Sequence, residues 1–418
     1  EALIDRGLME AAQKKIDATR KLLHPDNIIN QYSWHIELIN LQLEILPYKT
    51  ETFDERMKLQ EEKSAIFKIT ANCQEYYNLY LLSLHLLNQT GIGLLDQHAA
   101  IHKQFNEVMQ HPLMADISLA LSFNARLFFC NTQVNYYMGC ANYYKALSYA
   151  QLQLEQFNTP MLQISNVQKY LVSVKGVLLP LIALNEYEQF DNLVKATEQW
   201  YLEHKQNITP ESVNVLLDAI CGAPFDALYY QKDYRKALAM VPKMQEYLAN
   251  AFAQRNKGNN LQYQLSIAAL YFYAGNYNQS LTELDILLND KDFDTLPIIH
   301  GCARILHLLI HFELNNELLM ESLGRATYRF LFQTEQNYQV ESLMVRFMRN
   351  VGQFANKKEL HDGLLRLKQK LETLQNDEFE KQAFNRINYL YWIESKLNNC
   401  TIMEWAEKQA QTKVVKVQ

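Results

Sequence analysis

The chain has 418 residues, which exceeds the roughly 250–300 residues that one hydrophobic core usually serves, so it indicates several domains or a repeat array. Gly (12) and Pro (9) are too scarce for a β-rich protein of this size, so the composition favours long helices. A formal net charge of −6 argues against nucleic-acid binding by the bulk surface, because phosphate contacts need clustered Lys and Arg.

The ends and cysteines of the chain indicate its context. The chain begins at Glu1, without an initiator Met and already in helical periodicity, so we expect it to be a fragment of a longer protein. The sequence contains no run of about 18 apolar residues, so it predicts no membrane-spanning helix. The six cysteines form no CxxC pair and lie in apolar stretches such as "LFFCN". This pattern predicts reduced, buried thiols in a cytoplasmic protein.

The first predicted elements are helices whose starts recur at a regular spacing. "DRGLMEAAQKKIDATRKL" contains Leu8, which is followed three residues later by Ala11. Phe53 and Ala99 continue the series by their spacing alone.

The clearest copies of the pattern follow in the middle of the chain. Each has a polar turn, then an aromatic residue that begins a helix, and usually a small residue three positions later. These stretches are "GCANYYKALSYAQLQLEQF" (Tyr143, Ala146), "LNEYEQFDNLVKATEQW" (Tyr187), "YQKDYRKALAMVPKMQEYL" (Tyr234, Ala237) and "YFYAGNYNQSLTELDILL" (Tyr277, Ser280). We expect the aromatic ring to wedge against the preceding helix, while the small residue lets the two helices approach closely.

Weaker copies extend the series towards the C-terminus. They are anchored at Leu319, Leu360 and Ile402, with Ser322 and Gly363 as small residues in the first two. All steps from Leu8 to Ile402 fall between about 41 and 47 residues, a period typical of solenoids built from one supersecondary unit per repeat.

The turn and second-helix start in "AGNYNQSL", "QKDYRKAL" and "ANYYKAL" resemble tetratricopeptide (TPR) repeats. Unlike the 34-residue TPR unit, these repeats average about 44 residues, which predicts helices near 18 residues. The chain also resembles bacterial proteins built from such long TPR-like repeats. The resemblance implies an all-α, TPR-like superhelix of antiparallel hairpins. We expect one solenoid over 1–418 with about nine to ten hairpins and weak joints near 205–211 and 254–260.

Signatures of catalysis are missing from the sequence. It contains no GxxxxGK[ST], GxGxxG, HExxH or GxSxG pattern, which indicates a protein without enzymatic activity or cofactor. His98 and His102 are four residues apart, as are His307 and His311, and such a pair supplies at most two metal ligands. We therefore expect no metal site, with the first pair on an exposed helix face. The second pair is expected in helix packing or, alternatively, in a partner groove.

The resemblance to TPR proteins implies a concave groove lined by the first helix of each hairpin. Projecting inward positions onto those helices predicts a wall of aromatic, amide and charged side chains. Its members are Asn131, Asn135, Lys175, Asp226, Tyr229, Tyr230, Tyr273, Arg304, His307 and His311. Aromatic residues and Arg are common anchors at recognition surfaces. The first functional hypothesis is therefore a scaffold that binds a peptide or protein segment in this groove.

Two further hypotheses stay open at the level of sequence. The chain could be the C-terminal sensing module of a regulatory protein whose effector domain lies upstream of Glu1, an arrangement supported by fold analogy alone. It could also be a cryptic enzyme or metal protein built around the histidines. The sequence does not decide the partner, the biological process or the oligomeric state.

Overall fold

A computed structural model describes residues 2–22, 32–47, 49–251, 257–289, 297–333 and 338–417. These residues form α-helices joined by short turns, with no β-strand among them, so the all-α prediction is confirmed. The chain divides into two compact units, Glu1–Ser212 (unit 1) and Val213–Gln418 (unit 2).

Unit 1 is built from helices that pack mainly against their neighbours in sequence. They are α1 (Met9–Leu22), α2 (Tyr32–Ile45), α3 (Phe53–Thr90), α4 (Ala99–Met109), α5 (Phe123–Gly139), α6 (Tyr143–Glu155), α7 (Pro160–Ser165), α8 (Val167–Leu184) and α9 (Tyr187–His204). α5 and α6 form a hairpin, as do α8 and α9, while α5 also packs along α3 and α6 along α8. Buried side chains of α3 and α5, including Tyr76 and Phe129, form one core, and Leu86 and Phe105 belong to another.

α3 departs from the predicted helix length of about 18 residues. It runs without interruption for 38 residues from Phe53 to Thr90. No Gly or Pro occurs within that range, so nothing breaks the helix until Gly91 adopts a φ of 84°.

Unit 2 contains shorter helices and one local π-helix. Its helices are α10 (Pro210–Leu217, which begins in the last residues of unit 1), α11 (Ala223–Gln231), α12 (Tyr234–Ala239), α13 (Val241–Ala251), α14 (Lys257–Tyr273), α15 (Tyr277–Leu288), α16 (Pro297–Glu313), α17 (Glu317–Gln333), α18 (Gln339–Arg349), α19 (Lys357–Leu374), α20 (Glu378–Arg386), α21 (Tyr389–Leu397) and α22 (Ile402–Val417). The π-helix Asp218–Gly222 joins α10 to α11. α12 contacts α22, where Arg235 pairs with Glu407, so the start of unit 2 packs against its end.

The predicted helix starts agree with the observed helices in the central copies. Helices begin at Tyr143, Tyr187, Tyr234 and Tyr277. The small residues three positions later are fully buried where the pattern is strongest, at Ala146, Ala237 and Ser280. The outer copies are less regular, because Ala11 and Ser322 are exposed. In these two copies the small residue therefore does not serve close helix packing, whereas Gly363 in the Leu360 copy is buried.

The turns before these helices share one backbone geometry. The residue two positions before the helix start, or three before α22, adopts a positive φ, and the next amide donates a hydrogen bond to a carbonyl five residues earlier, as in a Schellman motif. The left-handed residues are Ala141, Asn185, Lys232, Gly275, Asn315 and Asn399. The corresponding bonds span 2.9–3.0 Å, for example from Asn142 to Tyr137. One turn type is therefore used in both units.

Ala141 is a poor residue for such a turn, because a Cβ in the left-handed region costs about 1–2 kcal/mol. We expect Ala141→Gly to raise the free energy of unfolding by about 0.5–1 kcal/mol, since the gain is partly offset by the flexibility of glycine in the unfolded chain. The reverse change, Gly275→Ala, should lower it by about 1 kcal/mol, because Gly275 has a φ of 78°. Urea unfolding followed by circular dichroism measures both, and a loss of stability in Ala141→Gly would contradict this account.

The superhelical arrangement itself stays a prediction. The boundary between the units lies directly after the 205–211 joint. The 254–260 joint includes residues 252–256, which lie outside the described residues.

Candidate functional site

α5 presents a stripe of half-buried side chains along one face. Asn124, Phe128, Asn131 and Asn135 follow one another at steps of four, three and four residues, which places them on the same side of the helix. Two of these residues are the amides that the sequence analysis assigned to a groove wall.

The stripe lies between two neighbouring helices of unit 1. On one side, Asn135 Nδ2 donates to Ser83 Oγ of α3 at 3.0 Å. On the other side, Lys169 Nζ of α8 donates to Asn124 Oδ1 at 2.7 Å. Side chains of three helices therefore meet along this part of unit 1.

Aromatic rings from α3 and α5 form a cluster at this face. Tyr80 stacks on Phe128 with ring centroids 5.5 Å apart, and Tyr77 lies 5.1 Å from Phe128. Tyr77 remains 38% exposed, so one side of the cluster is accessible to a ligand. Burial raises the pKa of Tyr80.

α8 extends the accessible surface with apolar and basic side chains. Lys169, Val172, Lys175 and Leu179 follow one another at steps of three or four residues, with Val172 41% and Leu179 38% exposed. Burial lowers the pKa of Lys169. A side chain at Gly176 would meet no atom within 4 Å, so the surface is open there.

We call this surface the α3–α5–α8 face. It comprises Tyr77, Tyr80, Asn124, Phe128, Asn131, Asn135, Lys169, Val172, Lys175 and Leu179. Three of the ten residues predicted for the groove, Asn131, Asn135 and Lys175, belong to it. The aromatic cluster was missed, although the pair Tyr76–Tyr77 was a sequence signal that one ring packs while its neighbour stays accessible. Tyr76 is fully buried, and its hydroxyl donates to the Leu113 carbonyl at 2.7 Å.

The predicted groove residues Tyr229 and Tyr273 lie in the interior of unit 2 and not on an accessible surface. Tyr229 is 7% exposed and Tyr273 is fully buried. The Tyr229 hydroxyl donates to the Arg386 carbonyl at 2.6 Å, and the Asn388 amide donates to the Tyr273 hydroxyl at 2.9 Å. Their assignment to an accessible groove is therefore wrong, because the chain between α20 and α21 covers both rings.

Contacts between α21 and α16 hold α21 beside the covered rings of Tyr229 and Tyr273. Trp392 Nε1 donates to one oxygen of Glu313 at 2.8 Å, and Lys396 Nζ pairs with the other at 2.6 Å. The Trp392 ring meets the edge of Phe312 at a centroid distance of 5.6 Å. The segment around α21 thus occupies the side of α14 on which a partner was expected, and it also contacts the C-terminal end of α16.

The two other groove residues of α11 differ in their exposure. Tyr230 is 50% exposed and is accessible. Asp226 is half-buried, and the Tyr263 hydroxyl lies 3.4 Å from its carboxylate and 2.8 Å from that of Asp218. Asp226 therefore takes part in a polar group within unit 2.

The α16 residues of the predicted groove make side-chain contacts along their own helix. Arg304 Nε donates to His300 Nε2 at 2.8 Å, and its guanidinium lies 4.9 Å from the centroid of the Phe330 ring. The Nε2 atoms of His307 and His311 are 2.9 Å apart. Burial, with a smaller effect of His311, lowers the pKa of His307 to about 4. The pair is therefore neutral near pH 7.

A buried polar cluster in unit 2 was not foreseen from the sequence. The Cys302 thiol donates to a carboxylate oxygen of Glu341 at 3.2 Å, and both residues are almost completely buried. Burial raises the pKa of Glu341 to about 7 and that of Cys302 well above its usual value. Arg386 Nη1 lies 3.4 Å from the Tyr338 hydroxyl beside them. A thiol held protonated is a poor nucleophile, so this cluster has the character of a structural network.

One described helix, α8, passes a length and composition test for a membrane-spanning segment, although the sequence analysis predicted no such segment. Val167–Leu184 is long and apolar enough to cross a membrane by length and composition, yet 44% of it is buried inside the protein, and the core helix of a folded domain passes the same test.

In comparisons with known proteins, no family model, curated protein or solved structure matches the chain. The TPR-like classification therefore stays a prediction.

Proposed function

We propose that the chain is a non-catalytic interaction module that binds a peptide or protein segment along the α3–α5–α8 face of unit 1. The observation that supports it is the combination of an accessible aromatic cluster with a row of amides on adjacent helices. Aromatic rings supply contact area at recognition surfaces. An Asn side chain offers both a donor and an acceptor, which match the two polar groups of a peptide bond.

The dimensions of the face suit an extended segment. Asn124 and Asn135 are 11 residues apart on α5, which corresponds to about 16 Å at 1.5 Å per residue. An extended chain advances about 3.3 Å per residue, so about five residues of a ligand would span the row. Lys169 and Lys175 add positive charge at one side, which favours a segment carrying a carboxylate. Val172 and Leu179 would contact its apolar side chains.

Binding should depend on this face and not on other exposed residues of unit 1. Peptides selected from a random displayed library against the whole chain should bind the Tyr77→Ala/Asn131→Ala variant at least tenfold more weakly, or about 1.4 kcal/mol. The matched control is Tyr144→Ala on α6, which removes a tyrosine that is 72% exposed and lies outside the face. Isothermal titration calorimetry measures the dissociation constants of all three proteins.

Two results would contradict the proposal. One is a set of selected peptides that bind wild type and the Tyr77→Ala/Asn131→Ala variant equally well while circular dichroism shows both folded. The other is a library that yields no peptide binding above background.

A further inference from the structure

Three side chains of metal-binding types lie together where the turn before α4 meets the end of α5. Asp96 belongs to the short turn Leu95–Gln97, His102 to the first turns of α4, and Cys140 follows the last residue of α5. One ligand atom from each lies within 4.8 Å of the other two. His102 Nδ1 is 3.2 Å from Asp96 Oδ1. In the part of the chain that the structure describes, no other three His, Cys, Asp or Glu residues are grouped so closely.

We propose that Asp96, His102 and Cys140 bind one divalent cation of the zinc class. In a tetrahedral site with bonds of about 2.0–2.1 Å to nitrogen and oxygen, two such ligand atoms are about 3.3 Å apart. The observed separation of 3.2 Å between His102 and Asp96 is close to this edge. Because a zinc–sulfur bond is about 2.3 Å, the sulfur edges would be about 3.6 Å, so sulfur needs to move by at most about 1.2 Å from its place within 4.8 Å of the other two atoms.

The types of ligand favour zinc over hard cations. Thiolate and imidazole ligands suit Zn²⁺, whereas Mg²⁺ and Ca²⁺ take oxygen ligands almost alone. On binding, the Cys140 thiol releases its proton to solvent and its sulfur donates an electron pair to the metal. The Asp96 carboxylate and neutral His102 provide the oxygen and nitrogen, so the two negative ligands balance the cation. A water molecule would complete the tetrahedron, since the Asp96 side chain is 73% exposed and solvent reaches the cluster.

The surrounding structure holds these ligands in place. Leu95, next to Asp96, and Phe105, one turn after His102, are both fully buried in the core against which Cys140 packs. Tyr136, one turn before Cys140, donates through its hydroxyl to Asn106 Oδ1 at 2.9 Å and lies beside the Cys140 thiol. Such neighbouring hydrogen bonds orient metal ligands and tune affinity. The proposed site is independent of the α3–α5–α8 face.

The competing explanation is a simple ion pair between His102 and Asp96. Partly exposed pairs of this kind contribute little to stability, and Cys140 would then be an unrelated packed thiol. The sequence analysis expected His102 on an exposed helix face, but its side chain is only 29% exposed. The two explanations differ in one respect, which is whether the Cys140 sulfur takes part in binding a metal.

Cobalt(II) distinguishes these explanations, because it replaces zinc and reports its ligands in the absorption spectrum. The whole chain is purified without an affinity tag, treated with a chelator and titrated with Co²⁺ alone. We expect one equivalent to produce a thiolate-to-cobalt band in the near ultraviolet together with the intense visible bands of four-coordinate cobalt. Equimolar Zn²⁺ should remove both, and Cys140→Ser should abolish the near-ultraviolet band. Asp96→Asn should weaken Co²⁺ binding at least tenfold.

Matched controls come from residues of the same types outside the cluster. Cys400→Ser, which changes another half-buried thiol, and His98→Ala, at the residue directly before α4, should leave the cobalt spectrum unchanged. A wild-type spectrum without the thiolate band, or the same band in folded Cys140→Ser, would overturn the proposal. If Cys140→Ser fails to fold, Asp96→Asn still tests the proposal, because the exposed Asp96 side chain can be changed without disturbing the core. An unchanged Co²⁺ affinity in Asp96→Asn would refute the proposed site.

Discussion

Replacing Trp392 by Ala is expected to lower the free energy of unfolding of unit 2 by about 3–5 kcal/mol, the usual cost of removing a buried aromatic side chain. Trp392 is 1% exposed, and its indole contacts Phe312 and donates to Glu313. Without it, a cavity forms between α21 and α16, and the largely buried Glu313 carboxylate keeps Lys396 as a partner but loses the indole donor.

The matched control is Trp34→Ala, because Trp34 is 65% exposed on α2 of unit 1. It should change the free energy of unfolding by no more than about 0.5 kcal/mol. Urea unfolding followed by far-ultraviolet circular dichroism avoids the loss of the tryptophan signal itself. Similar stabilities for the two variants would show that α21 does not hold unit 2 together.

Replacing Glu341 by Gln is expected to remove a pH dependence from the stability of unit 2. Burial raises the pKa of Glu341 from 4.5 to about 7, so ionisation is disfavoured in the folded state. Between these two values the folded protein binds more protons than the unfolded chain, and stability therefore falls as the pH rises. From pH 5 to pH 8 wild type should lose about 2–3 kcal/mol relative to Glu341→Gln.

Other titratable and charged groups also affect the pKa of Glu341 and the pH dependence of stability, so the experiment compares wild type with Glu341→Gln at each pH. Cys302 donates to the carboxylate, Arg386 favours its charged form, and Glu380 opposes it. His307 gives the stability the opposite pH dependence, because its pKa falls from 6.5 to about 4 on folding. Between these values the unfolded chain binds more protons than the folded protein, so stability is lost as the pH falls below about 6.5. The difference between wild type and Glu341→Gln at each pH isolates Glu341. A difference that stays constant from pH 5 to pH 8 would contradict the raised pKa.

The position of α20 and α21 changes the functional interpretation of unit 2. The rings of Tyr229 and Tyr273 were expected to meet a partner, and they meet Arg386 and Asn388 of the same chain instead. The proposed binding surface therefore lies in unit 1, where Tyr77 and the α5 amides remain accessible.

The local features of this protein were determined by its sequence. Scarce Gly and Pro predicted helices, and the polar turn before Tyr143, Tyr187, Tyr234 and Tyr277 placed four helix starts correctly. These features depend on residues within a few positions of one another, through backbone propensity, turn geometry and the burial of a small residue one turn later.

The tertiary structure alone decided which side chains are accessible and which groups meet. Asn388 is 115 residues from Tyr273, Glu341 is 39 from Cys302, and Cys140 is 44 from Asp96, so no local pattern links them. Spacing along a helix assigns a residue to a face, but only the packing of distant helices decides whether that face is covered. The same projection of inward helix positions predicted both Tyr229 and Asn131. The segment of α20 and α21 buries Tyr229, whereas nothing in the described structure fully covers Asn131.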